Sequence, residues 1–145
     1  MAHADGSVLI NAPAEQVFAA LMDGTQNRYW RPQVTDVALA GGIPGTVGVT
    51  YKQGLKGPGG RGRIDGDYTV TDYQPNRSLS FQVIKGPASP RGRFDLEPVQ
   101  GGTKVKFSLD LETKGAQRLL DPVISATMRK EMDNLVNLKA YLERR

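Results

Sequence analysis

Few residues in this 145-residue chain could do chemistry, and the shortages are informative. There is no cysteine and one histidine, His3, near the N-terminus. Without cysteine there is no disulfide, no thiolate nucleophile and no thiolate metal site. A Ser-His-Asp triad or a two-histidine metal site needs a well-placed histidine, which a frayed terminus does not supply. No metal and no cofactor are therefore expected. What remains is one anomalous glutamate, a set of aromatic residues and two methionines.

Glu131 is the sharpest anomaly. At 100° per residue it falls inside the apolar stripe of Ile124, Met128, Leu135 and Leu142. A carboxylate there is partly desolvated, which raises its pKa and suits a general acid or base. The other readings are a helix tilt that reaches solvent, or an ion pair with an arginine. Met128 and Met132 flank the position and suit a pocket that accepts several apolar shapes, or simply pack. Tyr51 and Tyr68 fall on inward strand faces. Each could orient a ligand carbonyl or phenol through its hydroxyl, or serve as a core tyrosine. Trp30, the one tryptophan, forms either an aromatic wall at a pocket mouth or an anchor for a helix. Phe81, Phe94 and Phe107 face the same way, mostly as core, with one or two positioned to touch a ligand. The candidate catalytic residues are Glu131 and Tyr68. The candidate ligand-binding set adds Trp30, Tyr51, Phe81, Phe94, Phe107, Met128 and Met132.

Two glycine-containing motifs carry less. Gly57-Pro58-Gly59-Gly60-Arg61-Gly62 matches GxGxxG, but a dinucleotide site needs a helix to start there within a βαβ unit. A strand follows, so the segment reads as a mobile hairpin loop that could gate a pocket. Arg61-Gly62-Arg63 and Arg91-Gly92-Arg93 invite an RNA-binding reading. Their arginines belong to wet strand faces with few exposed aromatics between them, so no nucleic-acid partner is expected.

These residues need elements to hold them. Ser7 to Asn11 reads as a strand, followed by a short helix that Pro13 can start. Thr25 to Trp30 forms a second short helix or turn before Pro32. From Gln33 the apolar period changes from about 3.6 to about 2. The clearest alternation is Val105, Phe107, Leu109 and Leu111 against Lys104, Lys106, Ser108, Asp110 and Glu112. Such segments are antiparallel strands with one wet face. Glycine is abundant, at 17 residues, which fits many turns between short strands. Asp121-Pro122 then opens a helix to Arg145, about 36 Å long at 1.5 Å per residue. The expected architecture is α+β: a strongly curved antiparallel sheet of six to seven strands wrapped around a long C-terminal helix. Two short helices lie between strands one and two. A twisted sheet gripping one helix tends to leave a gap, and a ligand would sit there.

The remaining composition sets limits. The net charge is +4 and 39% of residues are hydrophobic, consistent with one folded domain over residues 1–145. No stretch approaches the roughly 18 apolar residues of a membrane span. MAHADGS lacks the regions of a signal peptide, so a cytoplasmic location is expected. A monomer or weak homodimer is expected.

Several short motifs occur in a recognisable order. Ile10-Asn11-Ala12-Pro13 leads into Val17-Phe18, and Trp30 with Val34 follows the second helix. Val70-Thr71-Asp72-Tyr73 with Pro75, Gly101-Gly102-Thr103, Asp133-Asn134-Leu135 and Leu138-Lys139 complete the series. Together they resemble the helix-grip fold of the START/Bet v 1 type, the SRPBCC superfamily. Within it they resemble the polyketide cyclase/dehydrase and lipid-transport group. The resemblance covers essentially the whole chain. It implies binding of a hydrophobic or aromatic, lipid-like or polyketide-like small molecule between the C-terminal helix and the sheet. The alternative it implies is an aromatase/cyclase-type enzyme using tyrosine and glutamate as acid and base; a ligand-free regulatory subunit is a third reading. The missing interior histidine counts against members whose chemistry relies on one. A core with no cavity above about 300 Å³ would reject the binding reading.

Overall fold

The computed structural model describes residues 1–144, with Pro58 described by its backbone alone. Strand β1 (Ala2–Ile10) leads into helix α1 (Ala14–Met22) and a 3-10 helix over Gly24–Tyr29. Strands β2 (Val34–Gly41), β3 (Thr50–Lys56), β4 (Arg63–Asp65), β5 (Asp67–Gln74), β6 (Ser78–Lys85), β7 (Arg91–Val99) and β8 (Gly102–Leu111) follow. A 3-10 helix over Gly115–Leu120 then joins helices α2 (Asp121–Glu131) and α3 (Asn134–Glu143).

The strands form one antiparallel sheet in the order β1-β8-β7-β6-β5-β3-β2, with β4 paired to β3. It does not close. Its inner face grips the C-terminal helices, so the helix-grip architecture is as the sequence indicated. Among the described residues there are eight strands rather than six or seven. The addition is β4, three residues long, beyond the turn that the Gly57–Gly62 segment forms. In β8 the alternation is complete: Thr103, Val105, Phe107, Leu109 and Leu111 are buried, while Lys104 and Lys106 are exposed. Register shifts in β5 between Asp67 and Tyr68 and between Val70 and Asp72 mark bulges. Bulges bend a strand and re-aim its side chains, and these two bracket Tyr68 and Val70.

Two expectations need correction. The first concerns the N-terminus, which does not fray: β1 begins at Ala2 rather than Ser7. Ala2 and Ala4 are buried, and Ala2 to Ile10 pair with Leu111 to Thr103. His3 points outward, with Nδ1 2.6 Å from Asp110 Oδ1 and Nε2 2.8 Å from Asp5 Oδ2. Hydrogen bonds to Asp5 and then Asp110 raise its pKa above the ordinary value.

The second concerns the single long C-terminal helix, which is in two pieces. Across Met132 and Asp133 the backbone bonds shorten to i→i−3: Met132 N donates to Arg129 O at 3.1 Å and Asp133 N to Lys130 O at 3.2 Å. Asp133 and Asn134 are residues whose side chains compete with helical bonding. Here Asn134 bonds another side chain, its Nδ2 donating to Glu131 Oε2 at 3.1 Å. Arg145, the expected end of the helix, lies outside the described residues.

The core forms where α1, α2 and α3 meet the inner face. Ile10, Val17, Val49, Tyr51, Val105, Leu138 and Leu142 are its fully buried large side chains. α3 buries Leu135, Leu138 and Leu142. α2 buries Met128 alone. The sheet under α2 is therefore less filled than the sheet under α3.

Candidate functional site

Beneath α2 the packing opens into a cavity of about 370 Å³, within the ordinary range for small-molecule sites. Its walls are the inner faces of β3 to β8, the 3-10 helix over Gly24–Tyr29, the loop of Pro87, Ala88 and Pro90, and one side of α2. Aliphatic lining comes from Val70, Leu79, Val83, Leu109, Leu111 and Ile124.

The aromatic wall is a connected stack. Phe94 and Phe107 lie 4.4 Å apart with planes 8° from parallel. Phe81 lies 6.3 Å from Phe107 and packs edge-on against Tyr68 at 5.5 Å. Trp30 meets Phe94 edge-on at 6.3 Å. Offset and edge-on pairs of this kind are each worth about 0.5–1.5 kcal/mol beyond their area. The stack explains the glycine at the centre of Arg91-Gly92-Arg93. A Cβ at Gly92 would lie 2.1 Å from Phe81 Cζ, so the ring lies directly on backbone. The neighbouring arginine is engaged locally, Arg93 Nε donating to Asp95 Oδ1 at 2.9 Å. Arg63 of the other such motif likewise bonds Asp36 and Asp65.

At one end the cavity turns polar. Asn27 of the 3-10 helix, Gln53 of β3 and Tyr68 of β5 all line it, and all are buried. Asn27 Nδ2 donates to Gln53 Oε1 at 3.0 Å and to Tyr68 Oη at 2.9 Å. Gln53 Nε2 donates to Gly66 O at 3.4 Å. Burial pushes the Tyr68 phenol far above its usual pKa, against the opposing effect of the Asn27 bond. Tyr68 is therefore a neutral hydroxyl at any ordinary pH.

Of the nine residues singled out from sequence, Trp30, Tyr68, Phe81, Phe94, Phe107, Met128 and Glu131 line this cavity. Tyr51 and Met132 do not. Tyr51 stacks behind Tyr68 at 5.5 Å and donates to Met22 O at 3.4 Å; burial raises its pKa. Met132 packs over Gly6 of β1. Trp30 is 4% exposed, and its indole Nε1 is buried without a hydrogen-bond partner among the described residues.

Of the features expected for Glu131, the arginine ion pair is present, and the residue also lines the cavity. Its Oε2 lies 3.4 Å from Arg31 Nη2 and also accepts from Gln33 Nε2 and Asn134 Nδ2. The carboxylate thus clamps the joint between α2 and α3 to the segment entering β2. Among the described residues no group of three His, Cys, Asp or Glu side chains could hold a metal ion. Among the described residues no helix is long and apolar enough to cross a membrane.

Asn27 and Gln53 were not foreseen. Gln53 had a signal: it continues the inward alternation of Val49 and Tyr51 by two residues. Asn27 had none, because a 3-10 helix of six residues carries no apolar period to fix its faces.

The whole fold is similar to those of solved structures. A START superfamily protein from Mycobacterium smegmatis superposes with a TM-score of 0.80 at 15% identity, covering 98% of this chain and 97% of that one. The protein TTHA0849 from Thermus thermophilus gives the same figures. The Zhui aromatase/cyclase from Streptomyces sp. R1128 gives 0.76 at 16% identity, covering 99% of this chain and 94% of that one. At such identities the likeness is one of fold. No curated protein matches the chain in sequence. A family description, polyketide cyclase/dehydrase and lipid transport, matches residues 1–143. With the helix-grip sheet, the two short helices and the cavity under α2 in place, the chain belongs to the polyketide cyclase/dehydrase and lipid-transport family.

Proposed function

We propose that this protein binds a hydrophobic, largely aromatic small molecule in the cavity beneath α2. The observation that carries this reading is the pairing of a continuous aromatic wall with a buried polar corner at Tyr68, Asn27 and Gln53. The wall of Phe81, Phe94, Phe107 and Trp30 favours flat ring systems. The corner at Tyr68 and Asn27 favours one oxygen-bearing end. Met128, which lines the cavity from α2, adapts to differences in shape.

The alternative is an aromatase/cyclase-type reaction with Tyr68 and Glu131 as acid and base. It has less support. Burial that raises the Tyr68 pKa makes the phenol a donor and not a base. Glu131 is engaged by Arg31, Gln33 and Asn134 through one oxygen. Shape alone could still promote ring closure by holding reactive carbons together, so turnover of a poly-β-ketone mimic is the observation that would favour this reading.

The test is native mass spectrometry and thermal shift against flavonoids, polyketides and fatty acids. One-to-one complexes with flat aromatic compounds, and a raised Tm, are expected. Absence of binding across all three classes would overturn the proposal.

A further inference from the structure

The polar corner has a direction. It starts at a group that cannot turn, the backbone carbonyl of Gly66. That carbonyl is held beside Gln53 because Gly66 N donates to Gln53 O at 2.8 Å. Gln53 therefore presents Nε2 to Gly66 O, at 3.4 Å. The opposite amide orientation would set two carbonyl oxygens against each other. With Nε2 so placed, Gln53 Oε1 faces Asn27 and must accept, which fixes Asn27 Nδ2 as the donor at 3.0 Å. The same Nδ2 gives its second hydrogen to Tyr68 Oη at 2.9 Å. Tyr68 thus accepts from the protein, and its own proton has no acceptor among the described residues.

A buried hydroxyl with an unused proton is costly unless something receives it. Tyr68 lines the cavity, and burial keeps the phenol protonated. We infer that the relay Gly66–Gln53–Asn27 locks Tyr68 as a one-way hydrogen-bond donor, so that the cavity selects aromatic ligands carrying a carbonyl oxygen at that end. Gln53 and Asn27 are then positioning residues: they set which way the Tyr68 proton points. Ligands that offer only a hydrocarbon edge leave that proton unpaired. This inference rests on the cavity being a ligand site, as proposed above.

Two probes of nearly the same shape separate the ideas: 9-fluorenone, which has a carbonyl, and fluorene, which has a methylene in its place. Affinities are read from quenching of Trp30 fluorescence, and the bound carbonyl from its infrared stretch. The expected result is that fluorenone binds about fivefold tighter than fluorene, the usual size of one net hydrogen bond. Its stretch should fall below the value in cyclohexane. In Tyr68→Phe the affinity ratio should drop to about one and the stretch should return towards the cyclohexane value. Fluorene binding by the same variant reports that the cavity is intact.

In Gln53→Leu the anchor is gone and Asn27 can turn. The Tyr68 proton then has Asn27 Oδ1 as an acceptor, and both the ratio and the infrared shift should shrink. Equal wild-type affinities with an unshifted stretch would overturn the inference and leave the binding site standing. A ratio that survives Tyr68→Phe or Gln53→Leu would overturn the relay. If neither probe binds the wild-type protein, the site itself falls and the relay with it.

Discussion

Gly24 lies against Tyr68 so closely that a Cβ at position 24 would stand 2.3 Å from the tyrosine Oη and 2.8 Å from the Tyr51 ring. The 3-10 helix can deliver Asn27 to the tyrosine only because position 24 has no side chain. Gly24→Ala must push the helix away from β3 and β5. Overpacking of this kind costs about 1–3 kcal/mol, which a urea unfolding midpoint would register. Gly41→Ala is the control. A Cβ there meets nothing within 4 Å, and its effect should be small.

A second close approach predicts non-additivity. Gly92→Ala drives a methyl group into the Phe81 ring, 2.1 Å from Cζ before relaxation. The single variant should lose about 1–3 kcal/mol. In a Phe81→Ala background the same change should cost far less, because the obstructing ring is gone. A double-mutant cycle measures the difference; two additive costs would show that the ring moves aside freely.

Glu131 should matter to stability. Its Oε2 holds Arg31, Gln33 and Asn134 together, and the Arg31 and Glu131 side chains are only 19% and 29% exposed. Glu131→Leu leaves these donors without their acceptor, and hydrogen bonds to a charged group are worth about 1.5–3 kcal/mol. Destabilisation of that order is expected in urea, with Glu131→Gln intermediate. A more stable Glu131→Leu protein would show that the site prefers an apolar residue.

His3 makes stability depend on pH. Its folded pKa is raised above 6.5 by Asp5 and then Asp110, and that of Asp5 is lowered below 3.8, chiefly by His3. The histidine contribution is complete below its unfolded pKa and is lost as pH rises through the folded one. The Asp5 contribution is present above its unfolded pKa and is lost as pH falls through the depressed one. The two overlap between about pH 4 and about pH 6.5. The Tm difference between wild type and His3→Gln should be largest in that window and fade towards alkaline pH. It should stay within a few degrees, because the groups are exposed.

Legibility from sequence followed physical regularity. Val105 to Leu111 alternate without exception, and β8 occupies that span in a half-buried register. The long helix misled because a wheel assumes a constant 100° per residue. The i→i−3 turn at Met132 and Asp133 resets that phase, and it placed Met132 against Gly6 while Glu131 stayed at the cavity wall. For Tyr51 the alternation supplied the correct face but not the depth. Two inward tyrosines cannot both front the cavity when one stacks behind the other. The polar corner was hardest to read. Its members lie far apart in the chain, and its meaning depends on a backbone carbonyl that no side-chain pattern encodes.

Strand β1 pairs along its whole length with β8, so residues 2–10 wait for residues 103–111. The intervening sequence, roughly 100 residues, must be made and largely ordered before that pairing can form. Contacts of such separation slow folding, because chain entropy is lost before the contact rewards it. In a growing chain, β1 is made before the other strands of this sheet and is among the last of them to find its partner. Its inward residues and the uncovered face of β8 are then the surfaces most open to mispairing. Substitutions in the β1–β8 seam are therefore expected to alter yield and refolding rate before they alter anything the finished cavity does.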